Sequence, residues 1–270
     1  MTEACHFFIG NQTAFGAPVA DPFAFAIEHG FDAFEFFPDG GPAGRGWSAE
    51  DIGSDDRLRF RALARERDLR LSVHAALEAH LLDRSSWASL LRDIELAREL
   101  GAKVINVHID PGDAAGCSDA ACSLMERLRP AGIALALENT VMVGPEYVNQ
   151  LFERLHGMPG GMRDDVGLCL DIGHANLFSE TPNDYLGYLD RLADRVRIVH
   201  AHIHENWGDG DRHLTLFTGP SGNDPSGVAG LLRRLRRRAF RGSLILEQWP
   251  NPASLLITAR NRLRAMSLDR

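Results

Sequence analysis

Short apolar segments alternate along the whole chain with longer stretches of helical periodicity, the pattern of a parallel sheet whose strands are joined by crossover helices. Eight strands are predicted, around residues 7–10, 33–37, 70–74, 104–109, 133–138, 167–171, 196–202 and 243–247. Helix starts are marked by Asp21 with Pro22 behind it, by Ser86, and by Thr181 with Pro182, each pairing a capping side chain with a good first-turn residue. Gly30, Gly101 and Gly132 stand where helices should end. No linker, low-complexity segment or longer repeat interrupts the series. Eight uninterrupted units favour a closed (β/α)8 TIM barrel over an open sheet, as a single α/β domain over residues 1–270.

Side chains along a strand alternate faces with a period of two. In residues 133–138, Ile133, Leu135 and Leu137 share one face, while Ala134, Ala136 and Glu138 share the other. The bulky set should pack against outer helices and the small set should point into the barrel, ending in a carboxylate. The last strand repeats this, with Leu244 and Leu246 outward and Ser243, Ile245 and Glu247 inward. The C-terminal end of an inward row is where barrels of this kind place their chemistry.

Polar residues gather at those ends. The third strand ends in His74 (SVHAAL) and the fourth in His108 (NVHIDPGD). The fifth ends in Glu138 (ALENT), and the sixth in Asp171 with His174 one turn on (CLDIGHANL). The seventh carries His202 (VHAHIHEN), followed by Asp211 and His213 in GDRHLTL, and the eighth ends in Glu247 (LILEQWP). Several carboxylates in one barrel mouth repel unless cations lie between them, and mixed carboxylate and imidazole donors suit zinc, manganese or another divalent ion. All nine residues are therefore candidate metal ligands. His200 and His204 share the parity of His202 and are assigned to packing or solvation, although one of them could orient a ligand. His6, His29, His80 and His156 have no supporting context, Cys169 reads as a small core side chain, and Phe34, Phe36, Phe37 and Trp47 read as ordinary core.

Composition narrows the chemistry. With 44% hydrophobic and 24% charged residues the chain can bury a sizeable core. No apolar run is long enough to span a bilayer. Residues 1–10 carry no basic segment followed by a long apolar run, so no secretory signal is expected. Four cysteines (Cys5, Cys117, Cys122, Cys169) without a CxxC pair point to a reduced, cytoplasmic protein. A net charge of −8 disfavours nucleic acid as the main partner. The one basic cluster, residues 233–241, falls on the helix before the last strand and the turn after it, as a solvated face towards the bottom of the barrel. The only lysine, Lys103, stands at the start of a strand, which leaves a Schiff-base aldolase without its nucleophile.

The series VHA, NVH, LENT, LDIGHA, the histidine strand followed by DRH, and LILE resembles the xylose-isomerase-like barrel superfamily. That superfamily includes sugar isomerases and epimerases and the endonuclease IV (AP endonuclease family 2) proteins. The likeness runs from about the third strand onward. It implies a shared metal site at Glu138, Asp171, His202 and Glu247. The endonuclease IV pattern adds His74, His108, His174, Asp211 and His213, together a cluster of up to three Zn2+.

Two chemistries follow from the resemblance. The favoured one is a sugar or sugar phosphate isomerase or epimerase, with one Mn2+, Mg2+ or Zn2+ ion. Glu138 and Glu247 would be catalytic, moving a proton through a metal-stabilised enediolate, with His174 and Arg212 binding substrate. The alternative is a zinc-cluster phosphoester hydrolase of the endonuclease IV type. It is weakened where the endonuclease pattern has a Tyr-Leu pair and this chain reads Ala75-Ala76-Leu77-Glu78, and by the few basic residues (Arg45, Arg212) near the mouth. The epimerase comparison has its own departure, since the position of an arginine after the seventh-strand histidine falls on Gly208. The expected partner is a small sugar rather than nucleic acid or a membrane.

Overall fold

The computed structural model describes residues 7–41, 44–158 and 165–268, so Cys5 and His6 lie outside the described residues. Eight parallel strands close into one barrel in sequence order, with the first paired to the last. The elements run β1 (Phe8–Gln12), α1 (Ala20–Glu28), β2 (Ala33–Phe36), α2 (Ser54–Glu66), β3 (Arg70–His74), α3 (Trp87–Leu100) and β4 (Val104–His108). They continue with α4 (Ala114–Leu128), β5 (Ala134–Glu138), α5 (Pro145–Gly157), β6 (Val166–Asp171), α6 (Ile172–Leu177), α7 (Tyr185–Arg191) and β7 (Ile198–Ile203). A long loop leads to α8 (Pro220–Asn223), α9 (Ser226–Arg237), β8 (Ser243–Leu246) and α10 (Ser254–Leu268).

The strands are buried on both faces, as a parallel sheet wrapped by helices requires. Leu135, Leu137, Leu244 and Leu246 join the core, which continues through Leu90, Ile94 and Ala97 of α3 and Val148, Leu151 and Phe152 of α5. Register then fixes which inward residues meet. His108 lies opposite Glu138, Glu138 opposite Cys169, Asp171 opposite His202, and Glu35 opposite Ser72.

Some expected boundaries shift, because strand ends follow pairing rather than hydrophobicity. β1 runs on to Gln12, β7 starts at Ile198 rather than residue 196, and Glu247 lies one residue beyond β8. The helix starts also differ. Asp21 sits inside the first turn of α1 behind Val19, so it acts through its charge near the helix N-terminus rather than as a cap. Ser86 occupies the cap position of α3, but its hydroxyl donates to Asp83 O at 2.8 Å and accepts from the His80 N–H at 3.0 Å instead. Thr181 and Pro182 form a turn, and α7 begins three residues later, where Asp184 accepts from the Gly187 N–H at 2.8 Å. Gly101 does end α3, at a φ of 71° that a side chain would strain.

Lys103 lies at the N-terminal end of the barrel, lining a cavity with Arg70, Arg197 and Arg241, far from the strand ends that carry the candidate ligands. Three arginines of α9 and its following turn, Arg234, Arg236 and Arg238, are engaged with neighbouring elements. Arg234 pairs with Asp190 of α7, and Arg238 donates to the carbonyls of Ala193 and Val196. Among the described residues no helix is long and apolar enough to cross a membrane.

The loop that follows His74 is tied down by Asp93 of α3, whose carboxylate accepts from the Ala76 N–H at 3.0 Å. Burial pushes the Asp93 carboxyl up to about 7. Its folded pKa therefore exceeds its unfolded value, so its contribution to stability is full only below about pH 4 and is lost as pH rises through about 7. Asparagine keeps the acceptor and never ionises. Asp93→Asn is expected to raise Tm by a few degrees at pH 8, with the gain shrinking towards pH 4. A lower Tm than wild type at pH 8 would contradict this account.

Candidate metal centre

Each predicted ligand but two sits at or just past the C-terminal end of a strand. His74, His108, Glu138 and Asp171 are the last residues of β3, β4, β5 and β6. Asp171 also caps α6, accepting from the His174 N–H at 2.7 Å, which folds the His174 ring back over the mouth. His202 projects from β7, and Glu247 follows β8. Asp211 and His213 come from the long loop after β7, where Glu205 and Leu214 exchange two backbone hydrogen bonds at 2.9 Å and hold the loop against the barrel. His74, Glu138, Asp171, His174, His202 and Glu247 are buried, His108 and His213 are half-buried, and Asp211 is exposed.

The nine converge in three overlapping groups. His202 Nδ1 lies 3.2 Å from Glu138 Oε2, 3.4 Å from Glu247 Oε2 and 3.8 Å from Asp171 Oδ2. The Nε2 atoms of His74 and His108 each lie 3.3 Å from a Glu138 oxygen. On the other side, Asp211 Oδ2 is 3.4 Å from His174 Nε2 and 3.1 Å from His213 Nε2. Four ligands on bonds of roughly 2.0–2.1 Å around a tetrahedral ion stand about 3.3–3.4 Å apart, so these separations match the edges of a coordination polyhedron.

Hydrogen bonding shows why these are more than ion pairs. A backbone carbonyl can only accept, so any ring nitrogen bonded to one must carry the proton. His74 Nδ1 donates to Ala75 O at 2.6 Å, His174 Nδ1 to Asn139 O at 2.9 Å, and His213 Nδ1 to Glu247 O at 2.9 Å. In each neutral ring the remaining lone pair then faces a carboxylate, an arrangement that repels unless a cation lies between. His202 Nδ1, Glu138 Oε1 and Glu247 Oε2 are buried with no hydrogen-bond partner. Buried polar atoms are rarely left so; His202 Nδ1 and Glu247 Oε2 face each other at 3.4 Å, and Glu138 Oε1 lies 3.3 Å from His108 Nε2, which suits a divalent ion.

The same groups shift one another's protonation. Burial opposes ionisation of Glu138, but His202 and His108 outweigh it and hold its carboxyl well below the usual range. Asp171 is likewise lowered against burial by His174 and His204. Burial also opposes protonation of His213, yet Asp211 and Glu247 push it up to about 10. His174 is raised well above its ordinary value against burial by Asp171, Asp211 and Glu138. Burial holds the Cys169 thiol neutral, in keeping with a small core side chain.

Several participants were not singled out by sequence reasoning. Glu35, in the middle of β2, is fully buried and bonded to two histidines. Asn139 donates to Asp171 O and accepts from the Asp171 N–H, both at 2.9 Å, locking β5 to β6 where two ligands emerge. Asn106 donates to Glu138 Oε2. His200 and His204 are buried rather than solvated; His204 Nε2 lies 3.1 Å from Asp171 Oδ2, and its ring stacks on His213 at 4.0 Å. The available signals were parity in both cases, and for Glu35 a lone carboxylate between phenylalanines (AFEF).

Beside the cluster opens a cavity of 580 Å³, with Phe15, Phe37, Leu77 and Trp249 and the amides Gln12 and Gln248 in its lining. His74, His108, His174, Asp211, His213 and Glu247 reach it directly. Among the described residues no lysine or arginine lines it. Arg212 is turned outward, exposed and paired with Asp209 at 3.1 Å, so the structure does not bring it to the other predicted substrate residues.

Fold and donor set together define the class, a TIM barrel whose strand ends gather His, Asp and Glu side chains in groups that could hold a metal ion. The chain belongs to the xylose-isomerase-like TIM-barrel family, whose model matches residues 23–266. It is 31% identical over 160 residues to an uncharacterized protein, y4fM, of Sinorhizobium fredii (strain NBRC 101917 / NGR234), covering 53% of this chain and 48% of that one. It is 25% identical over 177 residues to a probable endonuclease 4 of Halobacterium salinarum (strain ATCC 29341 / DSM 671 / R1), covering 59% and 64%. The chain thus spans about half to two thirds of the length of these relatives. Among solved structures, a D-tagatose 3-epimerase-like protein superposes with a TM-score of 0.72 at 19% identity, covering 96% of this chain and 97% of the other, a likeness of fold.

Because ligands must shed their protons to bind an ion, metal uptake and proton release are coupled. Adding Zn2+ or Mn2+ to chelator-treated protein at pH 7.5 is expected to acidify a weakly buffered solution and to raise Tm by several degrees at saturating metal. Neither effect appearing would contradict a metal centre built from these residues.

Proposed function

We propose that this chain is a metal-dependent isomerase or epimerase of a small, uncharged sugar or polyol. The observation that carries this is the pairing of carboxylates at a metal cluster with a cavity lined by amide, hydroxyl and aromatic groups and, among the described residues, by no cationic side chain. A phosphate group would enter such a cavity without an arginine or lysine to meet it. Gln12 and Gln248 border the cavity and bring amide groups that both donate and accept, which suits ligand hydroxyls.

Glu138, Asp171, His202 and Glu247 would hold the ion, which when bound supplies Lewis-acid polarisation of substrate oxygens. Glu138 and Glu247 converge on His202 Nδ1 from β5 and β8, and act as the pair that takes a proton from the substrate carbon and returns it. His174, whose ring is fixed by Asn139 O, holds a substrate hydroxyl. The aromatic walls shed water around the reacting carbon. Similarity in fold to a D-tagatose 3-epimerase-like protein supports this choice.

A second reading rests on a specific observation. His74 and His108 on one side, and His174, Asp211 and His213 on the other, add two further donor groups to the four ligands that a single ion needs. A phosphoester hydrolase with two or three zinc ions would use all of them, and the similarity to a probable endonuclease 4 supports it.

The two separate in solvent isotope exchange. Metal-loaded protein incubated in D2O with a panel of ketoses is expected to place deuterium on the carbon beside the carbonyl. Glu138→Gln and Glu247→Gln should each lower that exchange by roughly 10²–10⁴-fold with the fold intact by circular dichroism. No exchange on any ketose, together with cleavage of abasic DNA or a simple phosphodiester, would overturn the isomerase reading in favour of the hydrolase.

A further inference from the structure

Among the described residues, Glu35 is the one fully buried carboxylate of the barrel interior that this metal centre leaves without a role. Its Oε2 accepts from Ser72 Oγ at 2.7 Å and lies 2.8 Å from His200 Nε2, while its Oε1 lies 2.8 Å from His202 Nε2. Burial opposes its charge, so three donors must satisfy it. An ionised carboxylate can only accept, hence both facing imidazole nitrogens carry hydrogen. For His202 this leaves Nδ1 as the free nitrogen, and Nδ1 is the atom set 3.2 Å from Glu138 Oε2 and 3.4 Å from Glu247 Oε2 with no hydrogen-bond partner. Turning the ring over would place carbon against Glu35 and strip that carboxylate of a donor.

We propose that Glu35 is the positioning carboxylate of the metal centre, fixing the tautomer and ring angle of His202 so that Nδ1 is the atom offered to the ion. The inference rests on His202 being a ligand. His200 supplies a second N–H to the same carboxylate and Ser72 a hydroxyl, which hold Glu35 at the height of His202. His74, His174 and His213 have their rings fixed by neutral backbone carbonyls, whereas His202 has a charged acceptor behind it. A carboxylate behind an imidazole raises its basicity as a ligand, so His202 is the strongest imidazole donor of the set.

The test measures zinc binding to the full chain by competition with a chromogenic chelator, alongside the ¹⁵N shifts of the histidine ring nitrogens. In the zinc-loaded wild type, His202 should show a protonated Nε2 and a metal-bound Nδ1. Glu35→Gln should weaken zinc binding by roughly 10–100-fold. Ser72→Ala, which removes a bond to the same carboxylate without touching an imidazole, should bind within a few-fold of wild type. Equal loss in both variants would indicate a merely structural network and overturn the proposal. So would Glu35→Gln binding zinc as tightly as wild type, or a zinc-bound His202 Nε2. The wild-type spectrum decides the matter even if Glu35→Gln does not fold. A wild type that takes up no zinc overturns the metal centre and this inference with it, while failure of the Glu35 results alone leaves the metal centre standing.

Discussion

Glu35, Glu138, Asp171 and Glu247 are four carboxylates buried inside one barrel, and their mutual repulsion is the constraint that the rest of the site answers. Desolvated negative charges at this density are stable only with positive charge among them. The chain sets imidazoles around them, seven of which (His74, His108, His174, His200, His202, His204 and His213) lie within 4 Å of a carboxylate oxygen of the cluster. What the imidazoles leave over is a set of lone pairs and unpartnered oxygens that a divalent ion would complete.

The barrel makes this arrangement possible through period and register. Alternation sends every second residue inward, and the pairing of β4 with β5 and of β6 with β7 brings His108 to Glu138 and Asp171 to His202 at the same height. Rigid strands hold the donors, while the loop carrying Asp211 and His213 closes one side. Side-chain bonds between neighbouring elements, such as Asn139 to Asp171 and Asp93 to the loop after His74, fix the strand ends on which the ligands depend.

Much of this is legible in the amino-acid order, because strand alternation and a polar residue at an inward strand end are local patterns. The eight strands, the inward placement of Glu138 and Glu247, and the convergence of nine ligand-type side chains could all be read that way. Glu35 could not, since it lies in mid-strand, where an isolated acid between Phe34 and Phe36 has no local partner; its histidines are more than 160 residues away in sequence. His200 and His204 were assigned to packing or solvation for the same reason, because their partners come from β2 and β6. Arg212 sits within the ligand-bearing loop, but loop geometry decides its direction, and Asp209 draws it outward. The helix start near Thr181 was displaced because Asp184, three residues on, caps α7 instead.

Anomalous diffraction from crystals of metal-loaded protein, collected above and below the absorption edge of the bound ion, tests the central claim most directly. The account predicts a peak within bonding distance of Glu138, Asp171, His202 Nδ1 and Glu247. An anomalous map with no peak there, or with density only beside Asp211 and His213, would contradict it.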